Sequence, residues 1–90
     1  MSRILASSLR DMRVLTDKGL RVGNIYDLEV DKDTGKIDTL VVEPESEEIA
    51  ESMSMDEEGY ALVPFSSVVA IRDYIVISEK SLAVQQLKAP

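Results

Sequence analysis

The side chains best suited to chemistry in this sequence are carboxylates. Eight of them fall in one run over residues 43–58, namely Glu43, Glu45, Glu47, Glu48, Glu51, Asp56, Glu57 and Glu58, with no lysine or arginine among them. Paired carboxylates do acid–base work when they are held apart in a dry pocket that tunes them differently. A run of charges facing water offers neither condition. A second group, Asp31-Lys32-Asp33-Thr34-Gly35, has the opening spacing of a calcium loop. Such a loop needs further oxygens and a glutamate at its last position. Counted from Asp31, that position holds Val42, an apolar strand residue. The group therefore reads as a hairpin turn with Gly35 at positive φ. Gly19, Gly23 and Gly35 do not open a helix after a strand, and no lysine–serine pair follows them, so they form no phosphate cradle.

The chain has 90 residues and contains neither histidine nor cysteine. The usual general base, zinc ligand, thiolate and disulfide are thereby excluded. No nucleophile–base pair stands out, and the expectation is a protein that is not an enzyme and carries no cofactor or metal. Ten basic and seventeen acidic residues give a net charge of −7. The run over residues 43–58 holds −8 of this, so the rest of the chain is +1. A phosphate backbone is repelled by such an acidic stretch, and no direct nucleic-acid partner is expected. No apolar segment reaches the roughly 18 residues of a membrane span. The first residues lack the apolar region and cleavage site of a secretory leader. A soluble cytoplasmic protein is expected.

The elements that must position these groups are short strands. Residues 12–16, 20–31, 36–43, 59–65, 68–71 and 74–78 read as strands. Turn signals at Asp17-Lys18-Gly19, residues 31–35, Pro64-Phe65-Ser66-Ser67 and Arg72-Asp73 separate most of them. In the second strand the apolar positions are Leu20, Val22, Ile25, Leu28 and Val30, a pattern of two that slips to three. Each slip requires a bulge if one face is to stay buried, and Gly23 and Tyr26-Asp27 are the places for it. Leu40-Val41-Val42 suggests a strand buried on both sides near its end. Brief helices are expected within residues 2–10, 46–52 and 80–87. Five or six strands in a chain this short imply a small β-barrel or half-open sandwich.

Several pieces of this sequence, taken in order, resemble the PRC-barrel family, named for the cytoplasmic domain of the photosynthetic reaction centre H subunit. They are Ser8-Leu9-Arg10-Asp11-Met12-Arg13-Val14, Gly19-Leu20-Arg21-Val22-Gly23-Asn24-Ile25-Tyr26-Asp27, and Val30-Asp31-Lys32-Asp33-Thr34-Gly35-Lys36-Ile37. Leu40-Val41-Val42, Leu62-Val63-Pro64-Phe65-Ser66-Ser67-Val68 and Arg72-Asp73-Tyr74-Ile75-Val76 complete the set. The family often has glycine where Asp11 stands. The resemblance implies an all-β fold, a small six-stranded PRC-type β-barrel with short terminal helical segments. Its domain would cover residues 1–78 with an acidic insertion at 43–58, followed by an amphipathic tail at 79–90. The fold is also similar to the C-terminal half of a ribosome-maturation factor.

The same resemblance implies an adaptor that binds other proteins. Small stand-alone members are common in archaea, and some are similar to factors that assist the tubulin-like division ring through its membrane anchor. The expected partners are the anchor protein, a second copy as a homodimer, or a hetero-assembly with a related barrel. Membrane association would then be indirect, with recruitment to the division site. The alternative is a ribosome-associated maturation factor that binds a ribosomal protein. The expected binding surface is Val68, Val69 and Ile71 with Tyr74, extended by Leu82, Val84 and Leu87 of the tail. The acidic stretch is either a solvated, mobile insertion or a docking loop. In the second case Glu47, Glu48 and Glu51 attract a basic partner while Ile49, Met53 and Met55 anchor it. The rings of Tyr26, Phe65, Tyr60 and Tyr74 are expected in the core.

Overall fold

Alternating apolar residues and well-placed turn residues build one bent sheet. The computed structural model describes residues 9–80. Its strands are β1 (Arg13–Thr16), β2 (Arg21–Val30), β3 (Ile37–Pro44), β4 (Ala61–Pro64), β5 (Val68–Ile71) and β6 (Tyr74–Ile77). A short helix, α1 (Glu47–Ser52), lies between β3 and β4, and a 3-10 turn (Phe65–Ser67) joins β4 to β5. The strand order is β4-β3-β2-β1-β6-β5. The β1–β2, β2–β3, β3–β4 and β5–β6 pairs are antiparallel, and β1 with β6 is parallel. The six strands do not close into a full barrel. The two outermost strands are consecutive in the chain, and the 3-10 turn spans the seam between them.

Bulges let so small a sheet bend. Val14 pairs with Gly23 and Leu15 with Arg21, which leaves Val22 as an extra residue. Ile25 pairs with Val42 and Asp27 with Val41, which leaves Tyr26 extra. Both bulges fall where the slipping apolar pattern requires them. Gly23 has a separate necessity. A Cβ there would lie 1.9 Å from the Glu43 carbonyl oxygen, so the β2 and β3 backbones approach too closely for any side chain.

The inner face collects Leu9, Val14, Val22, Ile25, Leu40, Val42, Ala61, Val63, Ile75 and Ile77, each almost fully buried. Leu9 thus plugs the sheet, as one reading of the N-terminal apolar residues requires. Ile4 and Leu5 lie outside the described residues. Leu40, Val41 and Val42 are all buried, so β3 is covered on both sides as expected. Leu20 and Val30 depart from expectation, being 50% and 46% exposed. The bulge at Val22 breaks the alternation that would put Leu20 on the same face as Val22. Asp11 takes the left-handed conformation at φ 65, and its N–H donates to the Ile25 carbonyl at 2.9 Å. Aspartate is among the few residues other than glycine that visit this region readily, so it can hold this conformation.

The turns are built as their residues dictate. The Asp31 carboxylate accepts from the N–H groups of Asp33 and Thr34, and Gly35 sits at φ 74. This pair of aspartates therefore forms a hairpin turn. Thr16, buried at the end of β1, accepts from Leu20 N and donates to the Glu79 carboxylate at 2.6 Å. The Glu79 N–H in turn donates to Asp17. These bonds tie the chain leaving β6 to the β1–β2 turn.

Candidate interaction surfaces

The register of the sheet assembles an apolar surface on its outer face. Arg13 and Leu15 of β1 alternate with buried Val14 and Thr16, and Tyr74 and Val76 of β6 alternate with buried Ile75 and Ile77. Leu15 pairs with Val76, and Val76 pairs with Ala70 of β5. The three therefore lie in one row across three strands, facing away from the core. Tyr74 stands in the next row, 39% exposed, and Val69 projects from the β5 bulge at 60% exposure. Val68 and Ile71 pack against the core instead, which corrects their place in the expected surface. Leu82, Val84 and Leu87 lie outside the described residues. Leu15 and Val76 carry no local mark of the outside, because each stands beside an apolar residue, Val14 or Ile75, that faces the core.

The two edges of the sheet are unequal. Along β4, Leu62 N donates to the Ser54 carbonyl at 2.8 Å, Met55 bridges to Ala61, and Pro64 has no N–H to offer. That edge is capped by Ser54 and Met55, within the acidic stretch. Strand β5 ends the strand order, and among the described residues no further strand lies beyond it. The exposed Val69 is on this strand.

The acidic stretch is built into the fold. The Ser46 hydroxyl accepts from Ile49 N and caps α1, whose first turn carries Glu47 and Glu48 as the helix dipole favours. Ile49 is 8% exposed and belongs to the core, with Met53 and Met55 packed partly buried against it. Ile49 is therefore not an anchor for a partner, and the two methionines are partly buried against the core. The apolar side chains at this spacing satisfy the protein's own sheet. Glu47, Glu48 and Glu51 remain exposed.

Three of the four rings also depart from expectation. Tyr26 is 51% exposed and Tyr74 39%, so both sit on the outside, whereas Phe65 packs against the core. Tyr26 stacks on Tyr60, with ring centroids 4.2 Å apart and planes 13° from parallel. Because β3 lies between β2 and β4, rings brought this close meet over the outer face of β3. The Tyr60 phenol has a raised pKa: its hydrogen-bonding interaction with the Tyr26 hydroxyl is the main cause, followed by partial loss of water and by the charges of Tyr26, Glu43 and Glu58.

Among the described residues no three metal-binding side chains are gathered together, and no helix is long and apolar enough to cross a membrane. A shallow depression of about 150 Å³ is lined by Arg13, Val14, Leu15, Arg21, Gly23, Asn24 and Glu45. Its charged groups are exposed, and none has the dry setting that tunes a catalytic group.

The open, six-stranded, bulged sheet with a parallel β1–β6 pairing defines a small all-β domain. The PRC-barrel domain model matches residues 1–83, and the chain belongs to that family, whose domains are non-catalytic. The chain is similar to an uncharacterized protein of the archaeon Methanocaldococcus jannaschii, 35% identical over 83 residues. That match covers 91% of this chain and 89% of the relative, so the relative is itself a small stand-alone member.

Proposed function

We propose that this protein is a non-enzymatic adaptor in archaeal cell division. In this reading the outer face of β1, β6 and β5 docks the membrane anchor of the division ring or a related barrel. The observation that carries the reading is the row Leu15–Val76–Ala70, flanked by exposed Val69 and Tyr74. Apolar and aromatic residues collected on one face of a small domain are a usual mark of a protein contact. The family's non-catalytic character and the archaeal relative of matching length support the same reading.

The test is a binding measurement with the purified division-ring anchor protein, and with purified related barrels, on sensor-immobilised protein. The wild type binds one of them. Val69→Glu places a charge in the contact and weakens binding by about tenfold or more. Thermal melting checks that the variant folds, as expected for a site so exposed. No binding to either class of partner, or equal binding by the variant, overturns the proposal. Co-sedimentation with ribosomal subunits would favour the ribosomal reading in its place.

A further inference from the structure

The stacked tyrosines lie on a different part of the molecule from the β1–β6–β5 face. In the strand order they belong to the β4–β3–β2 end. The outer face there carries Tyr26, Val41 and Tyr60, with exposed Glu43 on β3 and exposed Glu58 two residues before Tyr60. The charges of Glu43 and Glu58 both bear on the Tyr60 phenol. Asp27, beside Tyr26, is paired with Arg10 at 3.1 Å, so that carboxylate is already matched. Among the described residues Glu43 and Glu58 enter no ion pair, and they stand beside a ring pair held in place by stacking. One stacking partner rigidifies Tyr26 without hiding it, since half of its surface remains open.

An open aromatic face with carboxylates at its rim is complementary to a guanidinium group. Arginine stacks flat on a ring while its fork of N–H groups reaches carboxylates beside it, and lysine cannot do both. We propose that the Tyr26–Tyr60 face is a second docking surface, whose occupant is an arginine-bearing basic segment of a partner protein. The arginine stacks on Tyr26, and its charge is met by Glu43 and Glu58. Nucleic acid is the wrong occupant, because its phosphates would meet the carboxylates of Glu43 and Glu58. A second copy is also wrong, since it would bring the same acidic surface to its own.

The experiment uses the full chain and two short peptides of equal charge and length, one rich in arginine and one in lysine. Titration calorimetry gives the affinities, and intrinsic tyrosine fluorescence follows the same titration; the chain has no tryptophan to mask it. The arginine peptide binds more tightly than the lysine peptide. Tyr26→Ala weakens the arginine peptide by about two- to fivefold, whereas Tyr26→Phe keeps the ring, retains most of the affinity and serves as the folding control. Replacing Glu43 and Glu58 together by glutamine weakens both peptides and flattens the dependence on salt. Val69→Glu leaves all of these values unchanged, so failure here and failure of the division-anchor reading are separate results. Equal affinity for the two peptides, or an unchanged affinity in Tyr26→Ala, overturns the inference.

Discussion

At the scale of single residues, two positions are fixed by what stands against them. Gly23 faces the Glu43 carbonyl, and any Cβ would fall inside that oxygen. The oxygen belongs to the β2–β3 ladder, so it cannot withdraw without loss of strand pairing. Gly23→Ala is expected to cost about 3 kcal/mol, out of the 5–15 kcal/mol or so that holds a domain of this size. The melting temperature should fall by about 10–20 °C. Gly19→Ala is the comparison. Nothing lies within 4 Å of its would-be Cβ, and only the positive φ of 87 opposes it, at about 1 kcal/mol. Equal melting temperatures for the two variants would show that the close approach is not what selects glycine at 23. Tyr60 is the other position. Its raised pKa means that the fold favours the neutral phenol. That contribution to stability is complete below the ordinary phenol range and is lost as pH rises through the folded-state value. Tyr26→Phe removes the largest cause, so the Tyr60 transition, followed by phenolate absorbance, moves to lower pH. An unmoved transition would mean that the carboxylates and burial, not the Tyr26 hydroxyl, raise it.

Helix α1 is where local sequence and tertiary packing meet at the scale of elements. Six residues cannot hold a helix alone. Ser46 supplies the cap and Ile49 the anchor to the sheet. Ser46→Ala should cost about 1 kcal/mol, with faster amide exchange confined to α1. Ile49→Ala should cost about 2–4 kcal/mol and lower the protection of the whole sheet. If Ile49→Ala changed only α1, the acidic stretch would be an appendage and not part of the core. This element also shows what the sequence could reveal. The serine, the glutamates and the buried isoleucine mark the helix, and the slips around Gly23 and Tyr26 mark the bulges. The direction of the apolar residues was harder to read. Ile49 among glutamates looks like an anchor for a partner until the core and β3 are placed beneath it. Tyr26 and Leu20 look buried because a bulge reverses the faces of a strand, and a one-residue reversal leaves no trace in composition. The Tyr26–Tyr60 stack depends on the register of three strands, which no local pattern encodes.

Across the whole molecule, charge and apolar surface are segregated. The acidic residues 43–58 surround the β3–β4 connection, while the remainder of the chain is nearly neutral at +1. The apolar face on β1, β6 and β5 and the aromatic face on β2, β3 and β4 fall at opposite ends of the strand order. An interface of ordinary size covers about 800 Å² on each partner. Two such contacts would take about a quarter of the 6526 Å² of accessible surface, so a domain this small has room for both at once. They share no named residue, and their effects should therefore add. Three measurements follow with the arginine peptide and the apolar-face partner. Saturating one leaves the affinity for the other unchanged, and light scattering finds a ternary complex. Tyr26→Ala weakens only the peptide, and Val69→Glu only the partner. The double variant carries both losses in full and melts close to the wild type, because both side chains lie outside the core. Competition between the two ligands, or a loss in the double variant smaller than either single loss predicts, would show one shared surface instead of two.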